Sequence, residues 1–341
     1  MNLQDLDLLI WDMDGVLLYV RESYRKSIAE GVNYYFSGLM GLKISGSLMS
    51  QADAQHFKLV EGFNDDWKLT YAAVLCHLVK LVHETGFDEV KDYSKLGIKE
   101  KAGVLKELGK KLKGKLSLEL DLEDLTNRMK KNGVGLCATE KALADSFGER
   151  ELEVAKSLWF TDVVKRVFQE MYLGEELFYK KYKEKPVFMR TKGLINKEKP
   201  LVSKKTLKKL AGKYKMGVAT GRDRFEAAYS IKINGFESFL PVEFLVSSED
   251  VSHGKPDPEL LLKSRTKIAE ANKLEVDSLK CGYVGDSVDD VRAAKRAGFY
   301  SVGVLSAVPE KRNRDVIKKE FMSLGCDLII ENADKLADLI T

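Results

Sequence analysis

No run of apolar residues in this 341-residue chain approaches the ~18 consecutive positions that a membrane span needs. The opening Met-Asn-Leu-Gln-Asp-Leu-Asp also lacks the basic and apolar regions of a secretory leader. A cytoplasmic protein with no membrane partner is the expectation. Cysteine is scarce: Cys76, Cys137, Cys281 and Cys326 lie far apart with no C-x-x-C pair. That argues against a disulfide framework or a zinc knuckle and leaves free buried thiols. Excess charge of one sign is missing as well, with Lys+Arg 56 against Asp+Glu 52 and a formal net charge of +4. Nucleic acid is bound by basic residues gathered on one face, so no nucleic-acid partner is expected, while an anionic small substrate is compatible. A P-loop, an H-E-x-x-H pair and an internal repeat are likewise missing. Gly133-Val-Gly135-Leu-Cys-Ala138 matches a loose dinucleotide pattern but follows a Lys-rich helix rather than a strand, so it carries no such reading.

What the chain does have is 44% hydrophobic residues, ample for a sizeable core. One core stops growing near ~250 to 300 residues, so this length implies two domains. Residues 6–11, Leu-Asp-Leu-Leu-Ile-Trp, read as a buried parallel strand. Similar short apolar runs return at 216–219, 243–246, 281–284, 301–304 and 327–330, with helical stretches at 203–214, 224–234, 258–272 and 289–297. This alternation predicts an α/β core: a Rossmann-like parallel sheet with helices on both faces.

Residues 20–190 differ, with helical periodicity and no convincing strand. Val20, Tyr24, Ile28, Val32 and Phe36 recur every four residues, and Ser50 to Asp53 opens another helix in the manner of a capping box. Residues 69–82 are apolar on nearly every side and predict a buried helix. Further helices are predicted at 122–131 ended by Gly133, at 139–147, and at 162–172 ended by Gly174. The division is therefore a core of residues 1–19 and 191–341 around an inserted all-α domain, 20–190. Within the insertion, 99–115 holds seven lysines. It reads as a solvated helix face or loose surface segment, with an attractor for an anionic substrate or partner as the alternative.

Asp12-Met13-Asp14-Gly15 closes the first strand. Ligands of open parallel sheets bind at the carboxyl edge, and alternate residues of an extended chain point the same way, so both acids are brought toward one site. Two close carboxylates repel unless a cation neutralises them, and hard oxygens of this kind suit Mg²⁺. Gly285-Asp286-Ser287-Val288-Asp289-Asp290 supplies further acids at a later strand end, although Asp286 or Asp290 taken singly could be a helix cap. Thr220 offers a hydroxyl donor. Gly221 after it has no side chain to shield its backbone N–H from an oxyanion. Lys255 in Gly-Lys-Pro-Asp-Pro offers a fixed positive charge. Together these meet the needs of a phosphoryl group. Arg222 reads as a contact to a substrate anion or as a surface salt bridge. In Asn64-Asp65-Asp66-Trp67, Asn64 and Asp65 read equally as substrate-binding residues of a specificity loop and as the start of a helix with Trp67 packed beneath it. His56, His77 and His83 fall on predicted helices as packing or surface residues, and His253 lies two residues before Lys255.

Asp12-Met-Asp14-Gly15-Val16, Val218-Ala-Thr220-Gly221-Arg222, Gly254-Lys255-Pro-Asp-Pro258 and Tyr283-Val-Gly285-Asp286-Ser-Val-Asp-Asp290 resemble the four ordered motifs of the haloacid dehalogenase superfamily. The inserted helical domain resembles the C1-type cap of its phosphoglycolate phosphatase-like subfamily, subfamily IA. Residues 21–30, 62–67 and 172–174 resemble a less characterised branch with an enlarged cap, for which the resemblance names no substrate. The resemblance implies that Asp12 is the nucleophile and forms an aspartyl-phosphate, with Asp14 as acid and then base. It implies Mg²⁺ held by the Asp12 carboxylate, the Asp14 backbone carbonyl and Asp286. Asp290 would orient a metal-bound water or Lys255. Thr220, the Gly221 amide and Lys255 would stabilise the phosphoryl oxygens. Family members that cleave carbon–halogen or carbon–phosphorus bonds replace the second acid, so Asp14 implies phosphate esters. The expectation is a Mg²⁺-dependent phosphatase of small phosphorylated metabolites, phosphoglycolate-like or sugar phosphate monoesters. A phosphomutase and a catalytically silent binding module are the alternatives.

Overall fold

The computed structural model describes residues 2–58, 60, 62–63, 66–112, 115–306, 308 and 311–340. The chain divides into two compact units, Met1–Val20 with Glu198–Thr341, and Arg21–Lys197.

In the first unit six parallel strands form one sheet: β1 (Leu8–Trp11), β2 (Lys215–Ala219), β3 (Leu245–Val246), β4 (Cys281–Gly285), β5 (Tyr300–Val304) and β6 (Leu328–Ile330). Their order in space is β6-β5-β4-β1-β2-β3. Successive residues of β1 enter opposite apolar layers. Leu9 and Trp11 pack with Leu207, Leu210 and Ile231, while Leu8 and Ile10 pack with Leu261, Ile268 and Ala294. Burial on both faces is why these strands are continuous apolar runs without alternation. Helices Lys204–Ala211, Arg224–Ile233, Glu259–Asn272 and Val288–Arg296 occupy the stretches where helical periodicity places them. Residues 243–246 shorten to β3 because Val242–Phe244 forms a 3-10 turn. Central β1 has β4 on one side and β2 on the other, so the chain order reverses beside it, the arrangement that opens a crevice at the carboxyl end of an α/β sheet. Leu18–Tyr19 pairs antiparallel with Lys199–Pro200, so the segments by which the chain leaves and re-enters this unit lie side by side.

The second unit is built on Asp66–Thr85, whose Leu69, Ala72, Leu75, Leu78 and Val79 are fully buried. It packs against Lys26–Tyr34, Gly135–Phe147, Glu149–Ser157 and Thr161–Tyr182. Ser50 and Asp53 cap reciprocally, the Ser50 N–H donating to Asp53 Oδ2 at 2.7 Å and the Asp53 N–H to Ser50 Oγ at 3.3 Å. Leu122–Asn132 ends at Gly133, whose φ of 123° continues no helix. The lysine-rich stretch forms helix Ile98–Lys111, with Leu105 and Leu108 buried and Lys99, Lys106, Lys110 and Lys111 exposed. Three predictions need correction. Gly174 interrupts a helix but does not end it: Thr161–Tyr182 resumes after a residue at φ 74°. The reason is a close approach, because a Cβ on Gly174 would lie 2.3 Å from the Gly193 nitrogen, and the Glu175 N–H turns to donate to Thr191 O. The insertion also holds one short parallel pairing, Lys43–Ile44 with Lys115–Leu116. This unit extends to Lys197 rather than to residue 190, since Leu194–Lys197 packs against Arg21–Arg25. Among the described residues no helix is long and apolar enough to cross a membrane.

Burial makes this unit sensitive to acid. His77 is buried with its Nδ1 3.1 Å from Leu118 O, and burial pushes the imidazole down to about 4 from 6.5. The folded chain thus binds fewer protons there than the unfolded chain. The associated stability is full above pH 6.5 and is lost as pH falls from there through about 4. It amounts to about 3 kcal/mol. Urea unfolding at pH 7 and pH 4.5 should show wild type losing more stability than His77→Phe; equal losses would remove His77 as the cause.

Candidate active site

Asp12, Thr220 and Asp286 each follow the last residue of a strand. Parallel pairing sets Trp11 opposite both Val218 and Val284, so these strand ends share one edge. The Asp12 N–H still donates to Val284 O at 2.9 Å, which holds the residue in line with the sheet. Gly15 then turns the chain at φ 76°, a conformation that disfavours any side chain, and donates its N–H to Leu18 O at 2.9 Å.

Lys255 Nζ lies 3.0 Å from Asp12 Oδ2, 2.7 Å from Asp290 Oδ1 and 3.1 Å from the Tyr283 hydroxyl. Tyr283 in turn lies 3.1 Å from Asp290 Oδ1 and 3.2 Å from Ala219 O. Asp290 Oδ2 accepts from the Asp286 N–H at 3.2 Å, the Ser287 N–H at 3.0 Å and Ser287 Oγ at 2.6 Å. Ser287 caps helix Val288–Arg296, so Asp290 closes a capping box and anchors Lys255 at once. The glycine at the end of β4 is required by this packing: a Cβ on Gly285 would fall 2.2 Å from Asp290 Cβ.

Charge is unbalanced around Lys255. Carboxylate oxygens of Asp12, Asp286 and Asp290 come within 4.8 Å of one another. Burial pushes the Asp12 carboxyl up to about 7, with Asp290 and Asp14 adding to the rise and Lys255 opposing it. Burial also works against the charges of Asp290 and Lys255. Lys255 and the Ser287 donors nevertheless hold Asp290 below its ordinary value, and Asp12 and Asp290 hold Lys255 well above its own. Hard carboxylate oxygens with an excess of negative charge are the donor set that Mg²⁺ takes. Both Asp290 oxygens already receive hydrogen bonds, so Asp12 and Asp286 are the carboxylates that could hold such an ion directly.

Thr220 is buried, and its Oγ1 accepts from the Arg222 N–H at 3.2 Å, which keeps the hydroxyl hydrogen for another acceptor. Gly221 is exposed, and a Cβ built there would meet nothing within 4 Å. Packing therefore does not require glycine at that position. Arg222 does not stand at the surface. It is 4% exposed, and its Nε, Nη1 and Nη2 donate to Asp14, Glu198 and Ser230. Two buried acceptors, Glu198 and Ser230, and the part-exposed Asp14 draw the guanidinium inward. Asn64 and Asp65 lie outside the described residues. Trp67 sits on helix Asp66–Thr85, edge-on to Phe168 with ring centroids 4.5 Å apart. His253 is exposed at 75% of its side chain and turns to Glu259, not to Lys255.

Two site residues escaped the sequence reading. Tyr283 stands among the apolar residues of a strand, where nothing local marks its hydroxyl. Glu198 lies between Lys197 and Lys199, a setting typical of solvated charge, yet its side chain is fully buried.

Residues 202–304, less than a third of the chain, match the model of a family described as haloacid dehalogenase-like hydrolase. The chain is 23% identical over 93% of its length to an imidazoleglycerol-phosphate dehydratase of Phytophthora nicotianae, of which it covers 47%. It is 30% identical over 32% of its length to a pyrophosphatase of Bacillus velezensis, again covering 47%. The chain thus spans about half the length of these curated relatives. An X-ray structure of a structural-genomics target superposes with a TM-score of 0.70 at 19% identity, covering 98% of each chain, which speaks to the fold alone.

Proposed function

We propose that the chain is a Mg²⁺-dependent phosphatase that hydrolyses small phosphate monoesters through a phosphorylated Asp12. The observation that carries this reading is the buried Asp12 carboxylate, 3.0 Å from Lys255 and clustered with Asp286 and Asp290. Asp12 would attack phosphorus as the ester P–O bond breaks, and Asp14 would give its proton to the departing alkoxide. Water would then displace Asp12 from phosphorus, its proton passing to Asp14. Thr220 Oγ1, the Gly221 N–H and Lys255 Nζ are the donors for the equatorial oxygens. Asp12, the Asp14 backbone carbonyl and Asp286 would hold Mg²⁺, which when bound neutralises phosphoryl charge. Asp290 serves by fixing Lys255. Similarity to the family model over residues 202–304 supports the same class.

The test is phosphate release with Mg²⁺ and with EDTA from a panel of 2-phosphoglycolate, glycerol phosphates, hexose phosphates, pyrophosphate and 4-nitrophenyl phosphate. Release that needs Mg²⁺ is expected. A folded protein that releases none from any of them overturns the reading, and isomer formed without free phosphate would replace it with a mutase. Gly221→Ala gives an independent check. Because a Cβ there meets no protein atom, the melting temperature should hold. A methyl group beside the phosphoryl oxygens should nevertheless lower kcat/KM by about 10²-fold. Unchanged kcat/KM would place the phosphoryl group elsewhere.

A further inference from the structure

We infer that Arg222, locked in place by Glu198, is the positioning residue that aims Asp14 at the leaving group. This rests on the phosphatase reading.

Arg222 Nε donates to Asp14 Oδ1 at 2.8 Å, and Nη2 donates to the same oxygen. On its other side the guanidinium meets Glu198 in a two-pronged contact, Nη2 to Oε1 at 2.9 Å and Nη1 to Oε2 at 3.0 Å. Ser230 closes the ring, accepting from Nη1 at 2.8 Å and donating to Glu198 Oε2 at 2.7 Å. A planar guanidinium held by a planar carboxylate has no rotational freedom left, and its remaining edge imposes that plane on whatever it binds next. Asp14 needs such a hold. Its side chain is 35% exposed, and it is followed by a glycine at φ 76°.

These bonds fix one edge of the Asp14 carboxyl to the locked guanidinium and so set the direction in which the acid faces. Stability does not account for it. Arg222 and Glu198 are both buried and already balance each other, so neither needs the part-exposed Asp14 to neutralise it. The device makes sense where a proton must be delivered at a fixed point.

A general acid matters in proportion to the basicity of its leaving group. An alkoxide cannot depart without a proton, whereas 4-nitrophenolate can. We therefore compare kcat/KM, which reports steps through phosphorylation of Asp12, for 4-nitrophenyl phosphate and for the alkyl phosphate that wild type hydrolyses fastest in the panel. The variants are Glu198→Gln, which removes one charge at constant shape, and Arg222→Met with Glu198→Met, which removes both charges and leaves neither unpaired. Folding is checked by circular dichroism and melting. The alkyl ester is expected to lose about 10²-fold while the aryl ester stays within about threefold. A merely structural pair would lower both alike. Equal losses, or none, in a folded variant overturn the inference while leaving the phosphatase reading in place. Wild type inert toward both probes removes that reading and this inference together.

Discussion

Asp12→Asn is expected to stop phosphate release while leaving the fold intact. The amide has the carboxylate's shape and keeps the backbone bond from the Asp12 N–H to Val284 O, so the strand end is not disturbed. It has no charged oxygen with which to attack phosphorus, and two neighbouring carboxylates are already engaged. Asp14 is tied to Arg222, and both Asp290 oxygens are committed to Lys255, Tyr283, Ser287 and the Asp286 N–H. The loss in kcat should reach at least about 10⁴-fold, the scale seen when a nucleophile is removed from a unit that acts together. Rapid acid quench of wild type with 4-nitrophenyl phosphate should recover phosphoryl label on protein, released by hydroxylamine as an acyl phosphate is. The variant should carry none. Label on Asp12→Asn, or turnover within about tenfold of wild type, would move the nucleophile to another residue.

The parts of the molecule that were legible in the sequence are those fixed by local rules. Short apolar runs closed by Asp12, Thr220 and Asp286 mark strands, and parallel pairing then aligns their ends with no further instruction: Trp11 faces Val218 and Val284. Gly133 stops its helix because only the local backbone decides there. Long-range contact explains the failures. Gly174 looked like a stop, but its purpose is to let Gly193 approach from 19 positions on. Glu198 sits in the run Asn-Lys-Glu-Lys, indistinguishable from a solvated linker until Arg222 reaches it from beyond three further elements. Tyr283 has the period and polarity of a core residue. Its hydroxyl acquires meaning only when the Lys255 loop is folded beside it. Charge pairing between distant segments leaves no periodic trace, so buried ionic networks are the part of a site that a pattern cannot announce.

Lys255→Met carries the second large effect, and it separates stability from catalysis. Among the described residues Lys255 is the one ammonium paired with Asp12, Asp290 and the Tyr283 hydroxyl, with 14% of its side chain exposed. Removing it leaves two buried carboxylates facing each other, a change worth about 3–5 kcal/mol of stability when a buried pair is broken. It also removes a preorganised charge from the phosphoryl oxygens, for a further loss of about 10²- to 10³-fold in kcat. Adding Asp290→Asn tests the division. An asparagine whose carbonyl oxygen takes the place of Oδ2 keeps the bonds from the Asp286 N–H, the Ser287 N–H and Ser287 Oγ, so the helix cap survives while the unpaired charge is gone. The double variant should therefore regain most of the lost melting temperature and none of the lost activity. Such non-additivity in stability is expected of groups in direct contact. Recovery of activity along with stability would mean that Lys255 serves the fold alone, and failure to recover stability would mean that the repulsion between Asp12 and Asp290 is not what destabilises the single variant.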